Sequence, residues 1–295
     1  MHIPSEMLHG GICPITAAIA IGGIVTSLII LNKKDEHPSV SGFAQVSATI
    51  FALQMLNYPL GGGLSGHIVG GVLAASLLGI PLGILSMSIV LLMQTLLFAD
   101  GGILMLGANI TNMSLIGAGI GGIIYYALLR KYGHDLSLFV AGVSSILLAV
   151  LAVCIEMLVS GYSNPSIVRV LVTNHIAIAG VEGISTCLLF HLFKTDYPMS
   201  RNHSSWSFYS LILISALLAA PFASACPDAF EGIVSQFHII PSAPHFVHAP
   251  LAEYHFPVLK GYWSILAAST IGVTVTMAFS IVVGNLFRIV GRHSK

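Results

Sequence analysis

Two histidines far apart in the sequence offer nitrogen ligands of the kind that bind transition metals. The Met1 α-amine, with an ordinary pKa of about 8, the His2 amide and the His2 ring could close two fused chelate rings on one ion. Nitrogens in one plane suit Ni²⁺ or Cu²⁺ better than Zn²⁺, which prefers a tetrahedron. His67 offers a fourth nitrogen after the glycine-rich turn at residues 61–66. The pattern predicts a metal site of Met1, His2 and His67; a frayed start and an ordinary turn are the alternatives.

Other polar side chains in apolar surroundings could support such a site. Asn109 and Asn112 are three residues apart on one helix face, from which they could hydrogen-bond the N-terminal segment. Ser65, in the glycine-rich turn, is a further supporting candidate. His175 and Glu182 share a helical stripe in the membrane, where we expect buried hydrogen bonds between helices to be their main role. Four C-terminal histidines could capture metal before handover or simply be solvated: His238, His245, His248 and His255.

The composition indicates a membrane setting. Of 295 residues, 56% are hydrophobic and 7% charged, with 11 basic and 11 acidic residues and a mean hydropathy of +0.92. A soluble domain carries about 25% charged residues, so these charges are too few to cover a water-facing surface, and no basic excess exists to hold nucleic acid. We therefore predict a polytopic protein whose apolar helices contact membrane lipid. The four cysteines lack a CxxC spacing and indicate neither disulfides nor a thiolate metal site.

The predicted fold is all-α, a polytopic membrane helix bundle of about seven helices plus a two-helix C-terminal appendage. With the N-terminus extracytoplasmic, nine Lys and Arg residues face the cytoplasm and two face outward, as the positive-inside rule favours. The start carries no Lys or Arg before a long apolar run, so we expect no signal peptide and a mature protein that keeps residue 1. The predicted helices are residues 12–31, 42–56, 66–78, 81–98, 109–129, 136–160, 167–193, 207–223 and 262–289.

A polar stretch divides the chain into two regions. Residues 196–206 are predicted to form a cytoplasmic linker between a metal-binding body, residues 1–195, and the appendage, residues 207–295. The appendage contains the external loop that carries the four C-terminal histidines.

Three residue pairs predict particular helix contacts. Small residues four apart let helices approach closely in lipid. We expect Gly117 and Gly121 to serve internal packing, whereas Ala18 and Gly22 are one candidate surface for a coupling partner. Glu156 and Arg169 lie near the outer ends of adjacent predicted helices, so we expect an ion pair between them.

Several separated motifs resemble those of one family. They are the start Met1-His2-Ile3-Pro4, the turn from Gly61 to His67, the stretch from Leu97 to Met113, and His175 with Val181-Glu182-Gly183. On these motifs, residues 1–193 resemble CbiM/NikM, the substrate-binding membrane subunits of energy-coupling-factor (ECF) transporters for cobalt and nickel. Cys226-Pro227-Asp228-Ala229-Phe230-Glu231 and Leu259 to Trp263 are similar to the companion subunit CbiN/NikN, here fused, although Ala-Phe replaces the usual Gly-Leu.

The resemblance implies a transport function. It implies a square-planar site of four nitrogens from the Met1 amine, the His2 amide and ring, and His67, which binds Ni²⁺ or Co²⁺ as transported substrate with no permanent cofactor. Cobalt supply for cobalamin synthesis is one use of such import. The chain would not be an enzyme, because ATP hydrolysis would belong to cytoplasmic subunits of the CbiO/NikO type, joined through a transmembrane coupling subunit of the CbiQ/NikQ type. The expected location is the prokaryotic cell membrane, with the C-terminus in the cytoplasm.

Two other functions are alternatives. Gly63-Leu64-Ser65-Gly66 matches the G-x-S-G of rhomboid intramembrane serine proteases, with Ser65 as nucleophile, but Gly180 and Gly183 after His175 do not match the rhomboid spacing. A stand-alone nickel/cobalt permease is the other alternative, although its H-x4-D-H motif is missing. Neither HExxH nor a phosphate-binding G-x-x-x-x-G-K-[ST] occurs in the sequence.

Overall fold

A computed structural model describes residues 2–4, 7–33, 39–194, 210, 214, 217–224, 226–237 and 249–293. Helices dominate, which confirms the predicted all-α bundle. The elements are α1 (Ile12–Asn32), α2 (Val40–Gln54), β1 (Tyr58–Gly61), β2 (Leu64–Gly66), α3 (Gly71–Leu78), α4 (Ile80–Phe98), α5 (Leu106–Asn109), α6 (Gly121–Val159), α7 (Pro165–Lys194), α8 (Ala229–Gln236) and α9 (Gly261–His293). A π-helical run, Ile110–Ile120, joins α5 to α6, and 3-10 turns occupy Ile103–Met105, Ala220–Phe222 and Ala252–Tyr254.

Five segments of the described chain are long and apolar enough to cross a membrane, so the protein is a multi-pass membrane protein. They are Ile12–Asn32, Ile80–Phe98, Ile103–Val159, Pro165–Phe193 and Gly261–Leu286. The helices α2 and α3, with 15 and 8 residues, are shorter than a crossing of about 20 residues requires. Nearly all of α2 is buried, so it lies inside the bundle.

The 57-residue segment from Ile103 to Val159 contains two crossings. Gly133 breaks the helix with φ 72° and ψ −175°, a conformation that glycine adopts with little steric cost. The two halves then pack together, since a Cβ on Gly121 would lie 3.0 Å from the Ser145 Cβ. The structure thus places a helical hairpin where the sequence predicted separate helices at residues 109–129 and 136–160.

The predicted third helix is wrong at its beginning. Residues 66–70 do not extend α3, because Gly66 pairs with Tyr58 in an antiparallel hairpin of β1 and β2. Gly61, Gly62 and Gly63 form its turn with φ values of 92°, 62° and 78°, which side chains other than glycine seldom adopt. The hairpin leaves His67 in the extended chain just before α3.

The appendage packs onto the body at α9. This helix lies against α2 and α4, and its Gly272 allows close approach, since a Cβ there would lie 2.5 Å from the ring of Phe51 and 2.6 Å from that of Phe98. The predicted linker at residues 196–206 and much of the predicted helix at residues 207–223 lie outside the described residues.

Candidate metal centre

The N-terminal segment is inserted into the bundle, and apolar burial holds it there. Ile3 and Met7 are fully buried, and Leu8 nearly so. The Ile3 backbone is bonded on both sides: its N–H donates to Asn109 Oδ1 at 2.8 Å, and its carbonyl accepts from Gly102 N at 3.2 Å and Asn109 Nδ2 at 3.4 Å. These bonds fix the backbone beside His2.

The second end of the segment is anchored at the loop between α6 and α7. The His9 N–H donates to Ser160 Oγ at 3.1 Å, and His9 Nε2 lies 2.8 Å from the Tyr162 hydroxyl. Met1, the remaining predicted contributor of ligands, lies outside the described residues.

The rings of His2 and His67 are stacked against each other. Their centroids are 5.1 Å apart at an interplanar angle of 22°. On the His2 ring, Nε2 lies 3.0 Å from Gln94 Oε1 and Nδ1 lies 3.2 Å from Asp100 Oδ1. The structure thus brings together the two imidazoles that the sequence predicted to meet, although 65 positions separate them.

His67 is held mainly through the backbone that follows it. Its Nδ1 lies 3.1 Å from the Ile68 carbonyl, so a proton on Nδ1 would leave the lone pair on Nε2; a backbone carbonyl is a common partner of metal-binding histidines. The Glu182 carboxylate accepts the N–H groups of Val69 and Gly70, both at 2.8 Å. This bidentate contact joins α7 to the backbone just before α3, whereas we expected a hydrogen bond between helices.

Both imidazoles are buried, and burial sets their protonation. It lowers the pKa of His2 and lowers that of His67 well below the ordinary value of 6.5, while the Asp100 carboxylate offsets part of the effect at His2. Burial therefore favours the neutral form of both rings, and the neutral imidazole is the form that binds a metal ion.

The predicted donor set differs from a cage of acidic, cysteine and histidine side chains. Within the described ranges, no three His, Cys, Asp or Glu side chains are arranged to hold a metal ion. The predicted set does not require three such side chains, because the Met1 amine and the His2 amide would supply two of its four nitrogens. Four nitrogens in a plane suit Ni²⁺.

Asn112 does not reach the N-terminal segment, contrary to the sequence-based expectation. Its Nδ2 donates to Glu156 Oε2 at 2.9 Å, in the bundle interior. The predicted ion pair of Glu156 with Arg169 is also wrong: Arg169 is exposed and forms no such pair in the structure. Glu156 is 4% exposed. Its buried carboxylate therefore accepts a hydrogen bond from the Asn112 amide and does not pair with the exposed Arg169 guanidinium.

Ser65 connects the glycine-rich turn to the appendage. Its hydroxyl donates to the Cys226 carbonyl at 2.7 Å, and its N–H donates to the Pro227 carbonyl at 2.9 Å. The backbone of Asp228 forms an isolated parallel β-bridge with that of Ser65. The Asp228 side chain also caps the beginning of α8, where Glu231 completes a capping box. The Pro-Asp-x-x-Glu pattern therefore has a local cause, since Asp and Glu three residues apart cap a helix.

His175 packs against the appendage. Its Nδ1 lies 2.7 Å from the Leu171 carbonyl, and its ring centroid lies 5.2 Å from that of Phe230. Phe230 replaces the usual leucine of the companion motif and is fully buried, so the change is accommodated as an apolar contact.

The four C-terminal histidines are only partly described. His238, His245 and His248 lie outside the described residues. His255 is exposed, and its Nδ1 lies 2.7 Å from the Glu253 carbonyl.

Sequence reasoning missed three residues around His2. Gln94 and Asp100 contact its ring, and Tyr254 of the appendage donates to Asp100 Oδ2 at 2.7 Å. Burial, and then the Asp100 charge, raise the pKa of Tyr254 well above its ordinary value of 10.0, so the hydroxyl stays a donor. The sequence signal that could have pointed to these residues is Asp100 itself, a lone carboxylate after a long run without charged residues.

Comparisons with known proteins agree with these features. A family model described as the cobalt uptake substrate-specific transmembrane region matches residues 2–199. A protein of Archaeoglobus fulgidus named as a fused nickel transport protein, NikMN, is 31% identical over 287 residues, which cover 94% of this chain and 96% of the relative. The cobalt transport protein CbiM of Streptococcus sanguinis is 30% identical over 207 residues, or 66% of this chain and 85% of the relative.

Two solved structures resemble the body. One, described as a transition metal transporter, superposes with a TM-score of 0.60 at 30% identity over 66% of this chain and 93% of its own. A truncated transition metal transporter gives 0.59 at 30% identity over 67% of this chain and 100% of its own.

The family match and the fused relative together account for both regions of the chain. The family model covers the body, and the alignment with the fused relative extends over the appendage. The predicted fusion of a CbiM/NikM-like body with a NikN-like region is confirmed. This chain belongs to the CbiM family, the substrate-specific transmembrane component of cobalt uptake.

Proposed function

We propose that this chain is the substrate-specific subunit of an ECF transporter that imports Ni²⁺ or Co²⁺. The ion would bind four nitrogens: the Met1 amine, the His2 amide, the His2 ring and the His67 ring. The observation that supports this set most directly is the stacking of two buried imidazoles at 5.1 Å between centroids.

The three proposed nitrogens of Met1 and His2 are spaced so that they can chelate one ion. Its Nδ1 can close a six-membered chelate ring with its own amide nitrogen, and the preceding amine closes a five-membered ring. The bonds to Ile3 from Asn109 and Gly102 hold the backbone from which these nitrogens project. Binding in this form would pin the N-terminal segment to the bundle beside His67.

Import would need partner subunits. The sequence has no phosphate-binding P-loop, so ATP hydrolysis would be performed by cytoplasmic subunits of the CbiO/NikO type through a coupling subunit of the CbiQ/NikQ type. The N-terminus would face outward, where metal arrives, and the C-terminus would face the cytoplasm.

Calorimetric titration of the purified chain with an authentic start tests the site. We expect tight binding of Ni²⁺ and Co²⁺, with weaker binding of Zn²⁺, whose preferred tetrahedron the planar set does not offer. Cu²⁺, which also suits planar nitrogens, serves as a test of the geometry. The variant His67→Ala should lose at least about 100-fold in affinity, since even the partners behind a ligand are worth about 10–100-fold.

The matched control is His255→Ala, which removes an exposed imidazole outside the candidate centre. Equal Ni²⁺ affinity in wild type and His67→Ala would contradict the proposed site. Uptake of metal by the chain alone, without ATPase partners, would instead favour the permease alternative.

Ser65 provides the test of the protease alternative. Its hydroxyl donates to two backbone carbonyls of the appendage, and among the described residues none of its hydrogen bonds is to a histidine. A serine nucleophile needs such a base within reach. We expect Ser65→Ala to keep most metal binding, whereas a rhomboid-like protease would lose all activity.

A further inference from the structure

The contacts of Asp100 connect the appendage to the candidate metal centre. One carboxylate oxygen, Oδ1, lies 3.2 Å from His2 Nδ1, and the other, Oδ2, accepts the Tyr254 hydroxyl at 2.7 Å. Nδ1 is the ring nitrogen that can close a chelate with the His2 amide, while Nε2 lies beside Gln94. Asp100 therefore contacts the nitrogen that the proposed site would use.

The separation of these atoms suits a divalent cation. Two ligands at about 2.0–2.1 Å from one ion and at right angles lie about 2.9 Å apart, close to the 3.2 Å between Asp100 Oδ1 and His2 Nδ1. Asp100 is also the more accessible group, since its side chain is 26% exposed against 5% for His2. A hydrated cation approaching the centre would meet this carboxylate before the buried ring.

Tyr254 is fixed independently of its hydroxyl. Its ring stacks on Phe98 with centroids 4.4 Å apart at 17°, and the nearby Leu251 N–H donates to the Leu97 carbonyl at 2.9 Å. The hydroxyl is thus presented to Asp100 by contacts between the appendage and the end of α4.

Backbone strain occurs at both ends of the Tyr254–Asp100 bond. Ala99, Glu253 and Tyr254, with φ of 56°, 54° and 58°, are the non-glycine residues with positive φ in the described part of the chain. Non-glycine residues seldom adopt this conformation, and such residues cluster at functional sites. Ala99 directly precedes Asp100, and the other two are Tyr254 itself and the residue before it, Glu253.

We propose that Asp100 receives the incoming cation and passes it to His2 Nδ1, and that Tyr254 of the appendage positions the Asp100 carboxylate for this transfer. This inference rests on the proposed function and assigns a residue-level role to the fused region. In the transfer, the ion exchanges a carboxylate oxygen for a ring nitrogen, and no covalent bond of the protein changes.

Stopped-flow binding of Ni²⁺ to the purified full chain tests the proposal. We expect Tyr254→Phe to slow association about tenfold, the range of one charge-assisted hydrogen bond, and Asp100→Asn to slow it at least as much. If Tyr254 acts through Asp100, adding Tyr254→Phe to Asp100→Asn should slow association no further. Tyr126→Phe, which removes a tyrosine hydroxyl that bonds Ala75 elsewhere, should associate within twofold of wild type.

Three results would overturn the proposal. They are wild-type association in Tyr254→Phe, single effects that multiply in the double variant, and a change confined to thermal stability or to dissociation. These outcomes differ from a failure of the proposed function, in which wild type itself binds no Ni²⁺ or Co²⁺, or His67→Ala binds as wild type does.

Discussion

His2 and His67 are positioned by groups that reach them from different parts of the chain. Asn109 and Gly102 hold the backbone next to His2, whereas Glu182 holds the backbone after His67. Because burial lowers the pKa of both rings, we expect neither to lose a proton near pH 7 when it binds an ion. The protons released on binding would then come from the amine and the amide.

Affinity for Ni²⁺ should therefore depend steeply on pH. The amine is protonated below its pKa of about 8, and the amide carries its proton throughout, so each ion bound would release about two protons between pH 6.5 and 7.5. We expect the association constant to fall about 100-fold per pH unit as pH decreases. Calorimetry in buffers of different ionisation enthalpy measures the protons released; a value near zero would contradict the ligand set.

The same two histidines should make the metal-free protein less stable in acid. Their pKa values are lowered in the folded state from 6.5, so below pH 6.5 the unfolded chain binds more protons than the folded one. The free energy of unfolding then falls as pH decreases.

At the scale of elements, glycine conformations decide where the chain reverses. Gly133 lies between two crossings with φ 72° and ψ −175°, and the three glycines of the β1–β2 turn have positive φ. The sequence predicted the break near residues 130–135, because Arg130 and Lys131 interrupt the apolar run. It did not predict the hairpin, because strands of four and three residues are too short to show a reliable alternation.

Replacing Gly133 by alanine should destabilise the helical hairpin. Its φ and ψ fall in a region that only glycine adopts readily, so we expect a loss of about 1–3 kcal/mol in the free energy of unfolding. The matched control is Gly180→Ala in α7, where a Cβ would meet nothing within 4 Å and φ is ordinary. That change should be neutral or stabilising by up to about 1 kcal/mol. Thermal unfolding in detergent measures both; equal melting temperatures would contradict the role of Gly133.

The sequence predicted that His2 and His67 come together, but it did not predict most of the side chains around them. His2 and His67 are metal-binding residue types at informative positions, whereas Gln94 and Tyr254 are ordinary residues whose meeting at Asp100 depends on how α4 and the appendage pack. Asn109 hydrogen-bonds the N-terminal segment at Ile3, as its place on the predicted helix face suggested. The same spacing failed for Asn112, because a buried Glu156 competes for its amide.

At the scale of the whole molecule, α1 has an exposed apolar face. Ile15, Ile19 and Val25 are 53%, 49% and 45% exposed, as lipid or a partner helix would permit. A Cβ on Gly22 would meet nothing within 4 Å, so the small residue there is not required by packing inside this chain. The docking surface of Ala18 and Gly22 stays a prediction.

A larger residue at Gly22 should separate binding from transport. Gly22→Leu would keep a partner helix from approaching closely, so we expect wild-type metal affinity and melting temperature but uptake reduced to less than about one tenth in vesicles with the coupling and ATPase subunits. Gly22→Ala, which keeps the surface small, should retain uptake. Normal uptake in Gly22→Leu would show that the partner docks elsewhere.

The N-terminal amine is the proposed ligand whose loss distinguishes this metal site from any other. Ni²⁺ binding should be measured by calorimetry on the protein with an authentic start and on two blocked forms, one acetylated at Met1 and one extended by a single residue before Met1. We expect high-affinity binding with the authentic start and its loss in both blocked forms, with unchanged thermal stability in the absence of metal. Equally tight Ni²⁺ binding by a blocked form would contradict this expectation.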